Sequence, residues 1–300
     1  MPIISKPLPA RNAIRVNNKQ LRCLSAECLR ALIQSNDPPD LFVRGGEPVH
    51  VVADECGRMS IRSVTPTFLC GCLTRGANFL YVSEGRRAKV SPPMGAISDL
   101  LSRPIGEWGL PPLVAVTETP LLRPDGSVVD APGYDPSTGI VYAPAAGLRI
   151  PPFPARPSSK DARAAAVGIE DALGDFPWAD ESSRANAYGL LLSPLVRPVI
   201  RGCVPIALCG APQPGNGKGL FVENVAIIHT GSSVAIRTAP RRDDDEWRKL
   251  LTSVIQAGNQ LVVFDNLEDV LKSAALAAVV TSETWQDRLK EPNTMFTCAM

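Results

Sequence analysis

The residues best suited to chemistry lie in a glycine-rich loop, residues 210–219, with the sequence GAPQPGNGKG. Apolar runs precede the loop at residues 204–209 and follow it at residues 220–228, so we predict a strand, a loop and a helix. Such loops direct backbone N–H groups at phosphate oxygens, where the positive end of a helix dipole favours negative charge. Lys218 has the position from which a lysine contacts the β- and γ-phosphates of a nucleotide. The loop therefore predicts a nucleotide site formed by Pro214, Gly215, Asn216, Gly217, Lys218, Gly219 and Leu220.

The loop departs at both ends from the usual phosphate-binding pattern, G-x-x-x-x-G-K-[ST]. Pro212 stands at the first position, where the pattern has glycine, and Gly219 stands at the last, where it has a hydroxyl residue. The missing hydroxyl matters because it ordinarily coordinates Mg²⁺. Taken alone, this loop is also compatible with a glycine-rich turn that binds no phosphate.

A second element at a suitable distance favours the phosphate-binding interpretation. Residues 260–266, QLVVFDN, form an apolar strand that ends in an acid. The carboxylate of Asp265 would lie at the carboxyl edge of a sheet, where a Mg²⁺ ligand is required. The alternative role of Asp265 is to cap a following helix. Asn266 is predicted to position water, or simply to close the strand. Glu268 or Asp269 is an alternative base, or else stabilises the start of the following helix through the helix dipole.

We therefore predict a catalytic group of Lys218, Asp265 and Asn266, with Asp265 as the magnesium ligand and with ATP and Mg²⁺ as cofactors. The elements that position this group are predicted helices at residues 159–173, 181–192, 243–256 and 268–280, and strands at 204–209, 234–237 and 261–264. Ser159 is predicted to cap the first of these helices, and the acids at 243–246 suit the first turn of the third. The order of strands and helices is typical of a parallel α/β sheet.

The rest of the chain divides into two further segments. Residues 1–143 are predicted to form an α+β, β-rich N-terminal region to which the sequence assigns no activity, with its first helix at residues 25–34 capped by Ser25. Residues 144–158 are rich in proline and are predicted to be a semi-rigid linker. Residues 159–300 then contain a helical lead-in and the P-loop core.

Composition limits the classes of function. The 300 residues suggest two domains, and a net charge of +1 means that any nucleic-acid binding must come from a local patch. The eight cysteines form no C-x-x-C pair, which argues against zinc and favours buried thiols in a reducing compartment. We find no signal peptide and no apolar run of about 20 residues, so we expect a cytoplasmic protein outside the membrane.

Four motifs in this order resemble a known family. They are LLRPDG at 121–126 with PGYDPSTG at 132–139, the loop at 211–219, VVFDN at 262–266, and TWQDR at 284–288. Together they make residues 105–300 similar to the helicase-type ATPase portion of phage, plasmid and integrative-element primase–helicase proteins. That portion is superfamily-three-like and related to AAA+ proteins.

The resemblance implies a P-loop NTPase that couples ATP hydrolysis to DNA unwinding or loading during replication of a mobile element. It implies single-stranded or forked DNA as partner and a homo-oligomeric ring in the full-length protein. In this family a strand ending in a sensor asparagine and an arginine finger would follow Met300, so the resemblance implies a parallel sheet that is incomplete at a truncated C-terminus. It also implies a DNA-contacting hairpin at residues 288–297, with Lys290 and Arg288 as the candidate contacts.

Two other functions remain open. Gly219 and Asn266 favour a nucleotide-binding module with little hydrolysis. A DNA-binding regulator from a mobile element, with the N-terminal β-rich region as the reader, is the third hypothesis.

Overall fold

The computed structural model describes residues 12–55, 57, 59–104, 106–145, 147–154, 156–200, 202–213, 215–241, 243–267, 270–288 and 295–299. These residues divide into two compact units. The first comprises the described residues of Met1–Val51 and Arg62–Leu113, and the second those of Val52–Ile61 and Val114–Met300. The proline-rich segment 144–158 lies within the second unit, and the predicted boundary at residue 143 stays a prediction.

The first unit contains two sheets and a layer of helices. In chain order its elements are β1 (Asn12–Arg15), α1 (Leu21–Ser35), β2 (Leu41–Arg44), β3 (Glu47–Ala53), β4 (Met59–Ser63), α2 (Pro66–Gly76), β5 (Ala77–Ser83), β6 (Arg86–Val90) and α3 (Met94–Leu101). One sheet has the order β1-β5-β6, with β1 parallel and β6 antiparallel to β5, and the other has the order β2-β3-β4. Residues of β3 and β4 that fall within Val52–Ile61 group with the second unit.

Apolar side chains of the three helices form the core of the first unit. Leu32 of α1 and Ile97 of α3 are at most 1% exposed, and they pack in one cluster with Phe79 of the central strand β5 and with Trp108, which follows α3. Helix α1 starts four residues before the predicted position. Ser25 is therefore not its N-cap. It is a buried residue within α1, and its hydroxyl donates to the Leu21 carbonyl at 3.0 Å.

The second unit begins with short strands and continues as helices with two small sheets. Its elements are β7 (Ala115–Thr117), β8 (Leu121–Leu122), β9 (Val128–Val129), β10 (Gly133–Asp135), β11 (Ile140–Tyr142), α4 (Ser159–Leu173), α5 (Glu181–Leu192), α6 (Lys218–Thr230), β12 (Ile236–Thr238), α7 (Asp244–Gln256), β13 (Val263–Asp265), α8 (Ala274–Thr281), β14 (Thr284–Arg288) and β15 (Met295–Ala299). No helix in the described ranges is both long and apolar enough to cross a lipid bilayer.

Capping residues set where these helices begin. Ser158, not the predicted Ser159, caps α4 in a reciprocal capping box with Asp161. Asp180 accepts from the Ser183 amide at 2.7 Å at the start of α5, which has its predicted bounds. Asp243 caps α7, so the acidic run does lie in the first turn of a helix as predicted. The helix predicted at residues 268–280 is present but starts later: residues 268 and 269 lie outside the described residues, residues 270–273 are not helical, and α8 starts at Ala274 after the cap Ser273.

The strand predicted before the glycine-rich loop is also not formed. Residues 204–209 have no strand pairing, and Ile206 and Leu208 are 46% and 72% exposed. Pro205 has no N–H to donate to a neighbouring strand, which weakens pairing there. Strands β12 and β13 do pair in parallel, with Thr238 opposite Asp265, and they form a two-stranded sheet.

Two apolar clusters hold the helices of the second unit. Leu173 of α4 and Leu191 of α5 pack with Phe221 and Val225 of α6. Trp247 of α7 packs in a separate cluster with residues of α8, β14 and β15. These contacts position the start of α6 and the hairpin of β14 and β15.

Candidate functional site

The glycine-rich loop leads directly into α6, whose first residue is Lys218. Gly217 is the N-cap with φ of 78°, and Gly215 has φ of 85°. Both values lie in the left-handed region, which glycine adopts without a steric penalty. Phe221, one turn into α6, is buried against α4 and α5, so the start of the helix is fixed in place. Its first amides and its lysine therefore lie at the positive end of a packed helix.

Lys218 contacts Asp265, 47 residues further along the chain. Its Nζ lies 3.2 Å from the Asp265 Oδ1, and the two side chains are 42% and 38% exposed. The structure therefore brings together the lysine and the acid that sequence spacing selected. An exposed pair of this kind stabilises the fold by about 0–1 kcal/mol, so a phosphate can displace the carboxylate at small cost.

Asp265 is the last residue of β13, and its carboxylate has two donors. The amide of Asn266 donates to Oδ1 at 2.8 Å, and Lys218 donates to the same oxygen. The hydrogen bond from Asn266, followed by the contact with Lys218, holds the pKa of Asp265 below its ordinary value. The carboxylate is therefore ionised at neutral pH and has the charge that a Mg²⁺ ligand needs.

The remaining predicted site residues lie around this pair or outside the described residues. Asn266 adopts a left-handed backbone with φ of 57° and is exposed beside the carboxylate. Gly219 and Leu220 lie in the first turn of α6, where Leu220 is 57% exposed. Pro214, Glu268, Asp269 and Lys290 are outside the residues that the structure describes.

Aromatic residues between α4 and α5 form a part of the site that sequence reasoning missed. A Cβ built on Gly217 would lie 3.5 Å from a ring carbon of Phe176, so this ring lies against the loop. The Phe176 ring lies 5.8 Å from that of Trp178 and 5.6 Å from that of Phe221. The signal available in the sequence was Phe-Pro-Trp in a short connection between two helices, since such connections often carry binding residues.

Phe176 and Trp178 also line an open cleft of about 480 Å³. This volume is within the range typical of small-ligand sites. The other residues lining the cleft are Glu170, Gly174, Pro177, Asp180, Glu181 and Arg184. Glu170 pairs with Arg184 and accepts from the Tyr188 hydroxyl, so this part of the wall carries an exposed ion pair. Phe176 lies against Gly217 of the loop and also lines the cleft, so the loop and the cleft are neighbours.

The predicted hairpin near the C-terminus is present as a pair of strands. Arg288 pairs with Met295 in the antiparallel register of β14 and β15, and the connecting residues 289–294 lie outside the described ranges. Arg288 is exposed at the end of β14, where its amide donates to Asp287. The Asp287 carboxylate accepts from Thr252 at 2.6 Å and contacts Arg248, which anchors the hairpin to α7.

Comparison of the chain with protein-family models, curated proteins and solved structures found no match. The functional assignment therefore depends on the geometry around Lys218 and Asp265 and on the motifs in the sequence.

Proposed function

We propose that this chain binds ATP with Mg²⁺ through the loop at residues 215–219 and the side chains of Lys218 and Asp265. The observation that supports this most strongly is the contact between Lys218 and Asp265 at the start of a packed helix. A lysine held by a weak, exposed ion pair beside free helix amides is arranged to exchange a carboxylate for phosphate oxygens.

In this proposal each residue has a separate task. Lys218 leaves Asp265 and contacts the terminal phosphates, while the amides at the start of α6 donate to the phosphate oxygens. Asp265, freed from the lysine, faces the magnesium ion, which usually takes one or two carboxylates and completes its shell with phosphates and water. Asp265 would hold Mg²⁺ together with the phosphates, and the bound ion would supply positive charge beside them. Asn266 is the group nearest to Asp265 in the chain that can orient an attacking water.

We also propose the parallel α/β P-loop class for residues 159–300. The parallel pairing of β12 with β13 supports it, since the acid then ends a strand of a parallel sheet. Two observations do not match this class: the segment at residues 204–209 is unpaired within the described residues, and β12 and β13 form a sheet of two strands.

For the cellular role, we propose a DNA-dependent ATPase of a mobile-element primase–helicase that acts as a homo-oligomeric ring. The motif order supports this role. The competing proposal is a nucleotide-binding module with little hydrolysis, which is supported by Gly219 in place of a hydroxyl residue. Because Gly219 provides no hydroxyl to coordinate Mg²⁺, we expect slow turnover.

Calorimetry and an ATPase assay separate these proposals. We expect ATP to bind in the presence of Mg²⁺ and turnover to be slow, with an increase when single-stranded DNA is added. Binding without any turnover, with or without DNA, would support the nucleotide-binding module. If ATP does not bind, both proposals are wrong, because each requires the loop to hold a nucleotide.

The cleft beside the loop gives the base of the nucleotide a place to bind, with the Phe176 ring as its stacking partner. We expect Phe176→Ala to weaken ATP binding by about tenfold, since base–aromatic stacking is worth about 1–3 kcal/mol. Inorganic triphosphate, which has no base, should bind the variant and the parent equally in calorimetry. The matched control is Phe153→Ala, which removes an aromatic side chain that is 46% exposed elsewhere in the second unit. Equal weakening of ATP and triphosphate would instead assign Phe176 to supporting the loop.

A further inference from the structure

The small net charge of the chain conceals a large difference between its two units. Residues 1–51 and 62–113 contain 13 Lys and Arg against 7 Asp and Glu, a net charge of +6. The remaining residues contain 18 against 23, a net charge of −5. A positive excess of this size in about a hundred residues attracts polyanions to this unit.

Part of this positive charge is concentrated on one face of the sheet β1-β5-β6. Ile14 and Phe79 pair across β1 and β5, and both are buried in the core beneath the helices. Side chains alternate along a strand, so their neighbours Arg15 and Leu80 point to the opposite face. Lys89 pairs with Leu80 and therefore lies on that face as well.

The same face continues towards the turn between β5 and β6. Val82 pairs with Arg87, and both have the same orientation as Leu80 and Lys89. Asn17 anchors this end, because its side chain donates to the Val82 carbonyl at 2.8 Å and accepts from the Val82 amide at 3.0 Å. We call the surface formed by Arg15, Leu80, Val82, Arg87 and Lys89 the basic sheet face.

The charges of the basic sheet face are available to a ligand. Arg15, Arg87 and Lys89 are exposed, and none of them forms an ion pair within the described residues. The strands β1, β5 and β6 contain no Asp or Glu. Leu80 and Val82 are half-buried between the cations and provide a strip of apolar surface on the middle strand.

We propose that the basic sheet face binds single-stranded nucleic acid. The two outer strands place Arg15 and Lys89 about 10 Å apart, and Arg87 and Lys89 are about 7 Å apart along β6. Cations on both sides of an apolar strip suit an extended strand, whose phosphates contact the cations while unpaired bases contact Leu80 and Val82. A duplex hides its bases and would use only the charges. This surface lies in the first unit, so the proposal is independent of the nucleotide site.

The cations of the basic sheet face could also serve two roles other than nucleic-acid binding. Charged residues on edge strands prevent sheets of different molecules from pairing, and β1 and β6 are both edges. The negative unit of a second copy of this chain would also be attracted to this positive surface. Neither role requires a loss of DNA binding when the cations are removed.

The test uses the full 300-residue chain and a fluorescent single-stranded oligothymidylate, with anisotropy measured over a range of salt concentrations. The double variant Arg87→Gln, Lys89→Gln should bind about tenfold more weakly, and its salt slope should be less negative by about 1.4, because two phosphate contacts are lost. The matched control is Arg22→Gln, Arg30→Gln on α1, which removes the same charge from the same unit outside the basic sheet face. We expect the control to retain most of the parent's affinity and its salt slope, and a duplex of the same length to bind more weakly than the single strand.

The single variant Arg15→Gln, on the opposite edge strand, should make the salt slope less negative by about 0.7, because one phosphate contact is lost. It provides an independent test if the double variant is less stable than the parent. Equal losses in the double variant and the control would overturn the proposal, since only total charge would matter. Unchanged binding in Arg15→Gln and in the folded double variant would also overturn it. So would salt-dependent dimerisation of the parent, seen by sedimentation and abolished in the double variant while DNA binding persists; that result would assign the surface to a second copy.

Discussion

Replacing Lys218 with alanine is expected to lower the affinity for ATP by about 100-fold, because a hydrogen bond to a charged group contributes about 1.5–3 kcal/mol. The lysine makes the only ion pair shown for Asp265 among the described residues. Its removal leaves an uncompensated carboxylate that repels the incoming phosphates. Calorimetry with ATP and with ADP measures the effect, and the fold should be retained because alanine is a good helix former at the start of α6.

A matched control shows whether the effect is specific to this lysine. Lys249→Ala removes another lysine of the second unit that pairs with a carboxylate, Glu246, on the exposed side of α7. We expect this variant to bind ATP as the parent does. If Lys218→Ala also binds ATP with the parent's affinity, the glycine-rich loop is a structural turn and the proposed function is wrong.

Replacing Asp265 with asparagine is expected to change ATP binding in opposite directions with and without Mg²⁺. With Mg²⁺ present, the variant should lose the increase in affinity that the ion provides, since an amide is a poorer ligand than a carboxylate. Without Mg²⁺, the variant should bind ATP about two- to tenfold more tightly than the parent, because a negative charge near the phosphates and a competitor for Lys218 are both removed.

The expected gain in ATP affinity of Asp265→Asn without Mg²⁺ distinguishes a magnesium-ligand role for Asp265 from simple damage to the loop. A variant that merely damages the loop would weaken ATP binding under both conditions. Asp171→Asn, which alters an exposed acid on α4, is the control and should keep the parent's response to Mg²⁺. An unchanged magnesium dependence in Asp265→Asn would remove Asp265 from the ion site and leave it as the partner that holds Lys218 in the absence of nucleotide.

Two readouts are distinguishable across these variants. The Lys218 and Asp265 variants test the nucleotide site in the second unit, whereas the basic sheet face is tested by DNA binding without nucleotide. Loss of one function with retention of the other would show that the two sites act separately in this chain.

Signals from neighbouring residues were sufficient to predict several elements. Helix α5 has the predicted bounds because Asp180 and Glu181 mark its start, and the acidic run before Trp247 marks the start of α7 in the same way. The turn between β2 and β3 is also local, because Gly45 and Gly46 adopt the left-handed backbone of a tight turn. In each case the cap or turn lies within a few residues of the element that it specifies.

Features that depend on distant residues emerged only from the packing of the folded chain. An apolar run predicted a strand at residues 204–209, but a strand needs a partner with free hydrogen-bonding groups, and the run has none among the described residues. The 3.2 Å approach of Lys218 to Asp265 requires α6 and β13 to meet, and the contact of Phe176 with Gly217 requires α4 and α6 to pack. Residue types and their spacing were enough to select the candidate nucleotide-binding residues and the starts of several helices. The meeting of those residues in space depends on packing between segments far apart in the chain, and no local pattern records that packing.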